Sequence, residues 1–133
     1  RAVRIGHGIR SLESPELVRR LADEGIPLEV CPTSNVRTGI VRRIEDHPWP
    51  ELVAEGLVVT VNSDDPTMFG SDLVGEIGLL RDAFGLGREE LAGLTARALA
   101  HSFAPSDVRA RIETELAGWL AAGPGAQPPG PHT

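Results

Sequence analysis

Three short apolar runs limit what this chain can fold into. They are Ala2-Val3-Arg4-Ile5-Gly6-His7-Gly8, Ile26-Pro27-Leu28-Glu29-Val30-Cys31 and Leu57-Val58-Val59-Thr60-Val61-Asn62-Ser63. Their β-branched and aliphatic side chains suit pleated, buried strands. Between the first two, Ser14-Pro15-Glu16 supplies an N-cap, a proline for the first turn and an early acid. Leu17, Val18 and Leu21 then form an apolar stripe that Gly25 can stop. Pro48 to Glu55 reads as a shorter helix, ended by Gly56. Strands alternating with helices imply parallel strands joined by right-handed crossovers, the α/β class.

Each run ends in residues that can do chemistry. Gly6 and Gly8 flank His7 and let backbone or ligand approach it closely. Pro32-Thr33-Ser34-Asn35 breaks the second run, and Val36 to Ile44 reads as loop. The third run stops at Asp64-Asp65-Pro66, where proline lacks the N–H that a ladder needs. Adjacent carboxylates are costly unless a cation or a polarised substrate uses them. The plain alternative is a turn in which Asp64 caps the backbone and Asp65 is solvated. Parallel strands bring all these ends to one rim, where barrels and open α/β sheets place their ligands.

Beyond the acidic pair, Thr67-Met68-Phe69-Gly70 reads as loop and Ser71-Asp72 as a helix start. Leu73, Ile77, Leu80 and Phe84 recur at helical spacing up to Gly85. Arg88 to Ser102 is predicted as a helix, and Ser106-Asp107 opens another carrying Val108, Ile112, Leu116 and Trp119. The tail, 123–133, is rich in Gly, Pro and Ala and is expected to be disordered. Three strands make a poor free-standing parallel sheet, and a (β/α)8 barrel takes about 250 residues. Residues 1–122 are therefore read as the carboxyl-terminal part of such a TIM barrel, cut from a longer protein.

Composition narrows the function. The net charge is −6 and all 13 basic residues are Arg, a balance that argues against a nucleic-acid or anionic-membrane surface. No apolar run reaches the roughly 20 residues of a membrane helix. A single cysteine rules out an internal disulfide and a cysteine zinc cluster. With no visible signal peptide, it suits the reducing cytoplasm.

The rim residues resemble the adenosine deaminase family, zinc enzymes of the amidohydrolase superfamily. Arg4-Ile5-Gly6-His7-Gly8, Leu28-Glu29-Val30-Cys31-Pro32-Thr33-Ser34-Asn35 and Asn62-Ser63-Asp64-Asp65-Pro66 match three of its segments, in order and at its spacing. The resemblance implies a (β/α)8 barrel that deaminates adenosine or 2'-deoxyadenosine hydrolytically, with one Zn²⁺ per site and a small purine nucleoside as its partner. Asp64 matches the zinc-ligand aspartate. Asp65 matches the residue that meets purine N7 and helps hold the attacking hydroxide. His7 matches the histidine that orients that hydroxide. A carboxylate oxygen suits Zn²⁺ at roughly 2.0–2.2 Å.

The family's remaining zinc ligands, an H-x-H pair and the histidine of an H-A-G-E segment, have no counterpart here, and neither has that segment's glutamate. Catalytic zinc normally needs three protein ligands. The remaining amino-terminal barrel strands are therefore required, and this segment alone is expected to be inactive. Sister deaminases acting on adenine, a methylated adenine nucleotide or aminodeoxyfutalosine share the zinc apparatus and are the alternative. A truncated relic without catalytic role is a third reading. A phospho-acceptor receiver domain is rejected, because it needs a lysine. The cytidine-deaminase type of site needs P-C-x-x-C, which Cys31 alone cannot supply.

Among the other candidates, Ser34 and Asn35 read as loop caps or as support for the acidic pair. His47 reads as structural or solvated, and His101 as a partner of helix-end carbonyls. His132 lies in the tail. Cys31 reads as a small buried hydrophobe and Trp119 as core. Met68 and Phe69 are left between pocket wall and core.

Overall fold

The computed structural model describes residues 2–123, so the expected disorder of the tail falls, from residue 124 on, outside the described residues. The chain forms two compact units, Arg1–Gly87 and Arg88–Thr133.

The first unit is built on a three-stranded parallel sheet, ordered β1 (Ile5–Gly6), β2 (Leu28–Val30) and β3 (Val59–Val61). Ile5 aligns with Leu28 and Val59, Gly6 with Glu29 and Thr60, and Val30 with Val61. The strands are shorter than the apolar runs that contain them. β1 stops because His7 leaves the extended region, at φ 56°. Even so, ladder-type bonds continue past the strand ends: the His7 N–H donates to the Glu29 carbonyl at 2.9 Å, and the Asn62 N–H to that of Val30 at 2.9 Å. Leu28, Val30 and Val59 are wholly buried.

Helix α1 (Pro15–Glu24) forms as its caps dictate: Ser14 Oγ accepts from the Leu17 N–H, and Gly25 closes it at φ 60°. Its buried residues are Val18 and Leu21, while Leu17 is exposed. Helix α3 (Trp49–Ala54) fills the second crossover and buries Trp49 and Leu52. α5 (Leu73–Phe84) starts at Asp72, whose carboxylate accepts from the Gly75 N–H at 2.7 Å, and ends at Gly85.

Two segments expected to be loops are helical. Pro32-Thr33-Ser34-Asn35 opens α2 (Pro32–Arg37), and Ile44–Asp46 forms a 3₁₀ turn. Proline ends a strand, yet its fixed φ suits the first turn of a helix. The α2 start is also closed from afar: buried Glu76 accepts from the Thr33 N–H at 2.9 Å, placing a carboxyl group at the positive end of the helix. Likewise Pro66–Phe69 forms α4, because Asp65 Oδ1 accepts from the Met68 N–H at 2.8 Å. Met68 is 71% exposed and packs into no core.

The second unit pairs α6 (Arg88–Ala100) with α7 (Ser106–Ala121). Ala92, Leu94 and Leu99 are buried. Trp119, expected in the core, is half-buried under Arg88, whose guanidinium carbon sits 3.4 Å from the ring centroid, a cation–π stack. The same guanidinium donates to the Trp119 carbonyl. Among the described residues no helix is long and apolar enough to cross a membrane.

Gly8, just past β1, leaves no room for a side chain. It sits at φ 70°, and a Cβ there would meet Leu28 Cδ2 at 2.6 Å. Backbone strain of about 1 kcal/mol and overpacking of about 1–3 kcal/mol would add. Gly8→Ala in the complete protein is expected to lower unfolding stability by about 2–4 kcal/mol in a denaturant titration. An unchanged midpoint would contradict the close approach.

Candidate active site at the carboxyl ends of the strands

His7 and Asp64 both lie just past the carboxyl ends of their strands, and both have positive φ, 56° and 58°. They are the only described non-glycine residues with that geometry. The left-handed region is uncommon for residues with a Cβ, though His and Asp enter it more readily than most. Strained backbone of this kind, on the order of 1–3 kcal/mol per residue, persists where surrounding structure enforces it and gathers at functional sites. The two turns aim the side chains at each other: His7 Nε2 lies 3.6 Å from Asp64 Oδ2. That is too long for a direct hydrogen bond and close enough for a shared water or ion.

An open cleft of about 410 Å³ surrounds the pair, lined also by Gly6, Glu29, Cys31 and Asn62. The pleat explains this membership, since alternate residues share a face. Gly6, Glu29 and Cys31 occupy one face while Leu28 and Val30 are buried on the other. Glu29 pairs with Arg4 at 3.2 Å, deeper along the same face. A hollow of similar size on the other side of β1 is lined by Ile5, Leu17, Leu21, Leu28 and Ile40 and touches His7 and Asn35. It holds no carboxylate.

The expected site residues separate into distinct positions. His7, Cys31 and Asp64 come together, with potential ligand atoms all within 4.8 Å of one another. Asp65 points instead into the α4 cap, so the turn has the two acids in the reverse of the plain alternative: Asp65 caps. Asn35 is buried and its Nδ2 lies 3.1 Å from His7 Nδ1. It therefore supports the histidine rather than the acidic pair. Ser34 is buried in α2 and does not line the cleft.

His47 is neither solvated nor remote. It is 3% exposed, its Nε2 lies 3.2 Å from Asn35 Oδ1, and its Nδ1 accepts from the Trp49 N–H at 3.1 Å. Burial pushes its pKa down to about 4. No spacing in the sequence links His47 to His7. Glu76 was legible in principle: an acid on the apolar stripe of α5, between Leu73 and Leu80, has to find a buried partner.

Imidazole nitrogen, thiolate and carboxylate oxygen are all zinc ligands. Burial, followed by the charge of Asp64, pushes the Cys31 thiol up to about 11, so it would bind a metal only by giving up that proton. The Asp64 carboxylate is the donor that fits.

The family model described as adenosine deaminase matches residues 1–119. The chain belongs to the adenosine deaminase family. It is 47% identical to an aminodeoxyfutalosine deaminase of Streptomyces avermitilis, over 91% of this chain and 35% of that protein. Its fold is similar to the crystal structure of an adenine deaminase from Arthrobacter aurescens, with TM-score 0.85 and 41% identity over 90% of this chain and 37% of the other. A zinc-bound amidohydrolase from Burkholderia ambifaria is similar at TM-score 0.73 and 26% identity, over 92% of this chain and 36% of that one. The chain thus spans about a third of the length of these relatives. Its parallel strands and helices are part of an amidohydrolase (β/α)8 barrel.

His47 gives the region a pH signature. Its folded pKa, about 4, lies below the ordinary histidine value of 6.5. Acid therefore protonates the unfolded chain first. The contribution is fully present above pH 6.5 and is lost as pH falls toward 4. A difference of that size corresponds to on the order of 3 kcal/mol. Unfolding free energies of the complete protein, measured from pH 7 to pH 4, are expected to fall more steeply than those of His47→Gln. Parallel curves would refute a buried neutral His47.

Proposed function

We propose that the intact barrel containing this segment hydrolytically deaminates the 6-amino group of a purine, with Asp64 as a zinc ligand. The observation that carries this reading is the meeting of His7 and Asp64 in one cleft through paired left-handed turns. Zinc, when bound, would supply a water of pKa about 7. In the overall reaction water adds its oxygen to C6, the C6–N bond breaks, ammonia leaves, and the ring is left as the 6-oxo purine.

The residues of this chain divide that work. Asp64 contributes one oxygen donor, and the other protein ligands come from the rest of the barrel. His7, with Nε2 facing Asp64, is placed to hold and orient the oxygen of the attacking water, and a fixed partner can do so with little reorganisation. We read Asp65 as the residue that meets the purine at N7, through the carboxylate oxygen that the Met68 N–H does not engage. The neutral Cys31 thiol supplies an apolar wall.

The purine itself is read more broadly than the motifs imply. Adenosine follows from the motif resemblance. Aminodeoxyfutalosine and adenine are the substrates in the names of relatives 47% and 45% identical to this chain, and we place them ahead of adenosine.

A substrate panel of adenine, adenosine, 2'-deoxyadenosine and aminodeoxyfutalosine, assayed with the complete zinc-loaded protein, tests the reading. Ammonia release from none of them would sink it. Asp64→Ala is expected to lose zinc and turnover together. His7→Ala should retain zinc while kcat falls by about 10²–10⁴. Asp65→Asn preserves a good helix cap, so a fall in activity at unchanged stability is expected. Full activity in Asp65→Asn would remove that carboxylate from the reaction.

A further inference from the structure

The polarity of one hydrogen-bonded chain is fixed from its far end. The Trp49 backbone N–H can only donate, so His47 Nδ1, 3.1 Å away, must accept. A neutral imidazole with an accepting Nδ1 carries its hydrogen on Nε2. Burial holds His47 neutral. His47 Nε2–H then donates to Asn35 across 3.2 Å, which assigns the amide oxygen to that side. The amide nitrogen is left facing His7 Nδ1 at 3.1 Å, and an NH₂ group can only donate. His7 Nδ1 accepts, and the hydrogen of neutral His7 sits on Nε2, the atom that faces Asp64.

We propose that Asn35 and His47 are positioning residues that set the tautomer of His7. They present an N–H, not a lone pair, to the Asp64 side of the cleft. The inference rests on the deaminase reading for its purpose, since the tautomer decides what His7 can do there. An Nε2–H donates a hydrogen bond to an oxygen nucleophile and cannot ligate a metal. The opposite tautomer would offer Nε2 as a ligand.

The placement is over-determined in a way that a simple space-filling role does not need. His47 and Asn35 are both buried, 3% exposed each. They come from different segments, α2 and the turn before α3. The start of α2 is itself pinned by Glu76. A buried amide with donor and acceptor both engaged is held against rotation, because turning it would set N–H against N–H at one end.

The decisive variant is Asn35→Asp. A carboxylate still accepts from His47 Nε2–H, but it presents an acceptor to His7 and so draws the His7 hydrogen onto Nδ1. Long-range ¹H–¹⁵N spectra of the complete, zinc-loaded protein, selectively labelled at histidine, read the tautomer without any turnover. Wild type is expected to show His7 Nε2 protonated and Nδ1 bare, and Asn35→Asp the reverse. In the same variant kcat should fall at least tenfold with KM within about twofold. His47→Phe, which removes the donor, should mix the His7 tautomers. His47→Gln, which keeps an N–H donor, should restore the wild-type pattern.

If His7 shows the same nitrogen signals in Asn35→Asp, or in His47→Phe should the first variant fail to fold, the positioning role is overturned. Lost thermal stability alone would then mark the chain as structural. The tautomer readout is independent of the substrate panel. Failure of the deaminase reading would appear as absent turnover in a wild-type protein whose His7 tautomer is as stated.

Discussion

The site depends on two backbone turns that a side chain with a Cβ normally avoids. His7 and Asp64 each leave their strand through the left-handed region. The cost is offset by the parallel ladder beside them: the His7 N–H is held by the Glu29 carbonyl, and the Asn62 N–H by that of Val30. Because β1 and β3 both pair with β2, one central strand fixes the separation of both reactive groups. Shifting the register by a residue would turn Glu29 and Cys31 into the apolar layer, so the buried Leu28 and Val30 also protect the geometry of the cleft.

Around that frame, the buried polar groups nearest the site are answered by partners. Glu76 meets the start of α2, Asn35 meets two histidines, and Thr60 Oγ1 donates to the Leu28 carbonyl at 3.3 Å. Each link costs desolvation and returns orientation. The result is a short helix, α2, pinned at its start by Glu76 and held through Asn35 by two histidines. Its one inward amide touches the reactive histidine. Asp65 shows the converse: its exposed carboxylate organises α4, so the adjacent acids serve unlike ends, one turned to the cleft and one to the backbone.

Two prolines have a double role. Pro32 and Pro66 both stop the extended run before them from continuing. Each also occupies the first turn of a helix that begins at once. A strand-breaking and a helix-starting proline look alike in sequence, and helices this short carry no periodicity to tell them apart. Cys31 shows a similar doubling. It is the buried hydrophobe expected, yet its sulfur stands beside His7 and Asp64.

What the sequence determined by itself is what local chemistry can encode. Ser14 and Gly25 bound α1, Asp72 and Gly85 bound α5, and the alternation of strand and helix forces a parallel sheet with its reactive residues on one rim. The motifs around His7, Asn35 and Asp64 were enough to place the chain in its family. Tertiary structure alone decided which residues touch. His7 and Asp64 lie far apart along the chain, and so do Asn35 and His47 from the residues they hold. Such contacts depend on strand register and helix packing, and no pattern along the chain measures either.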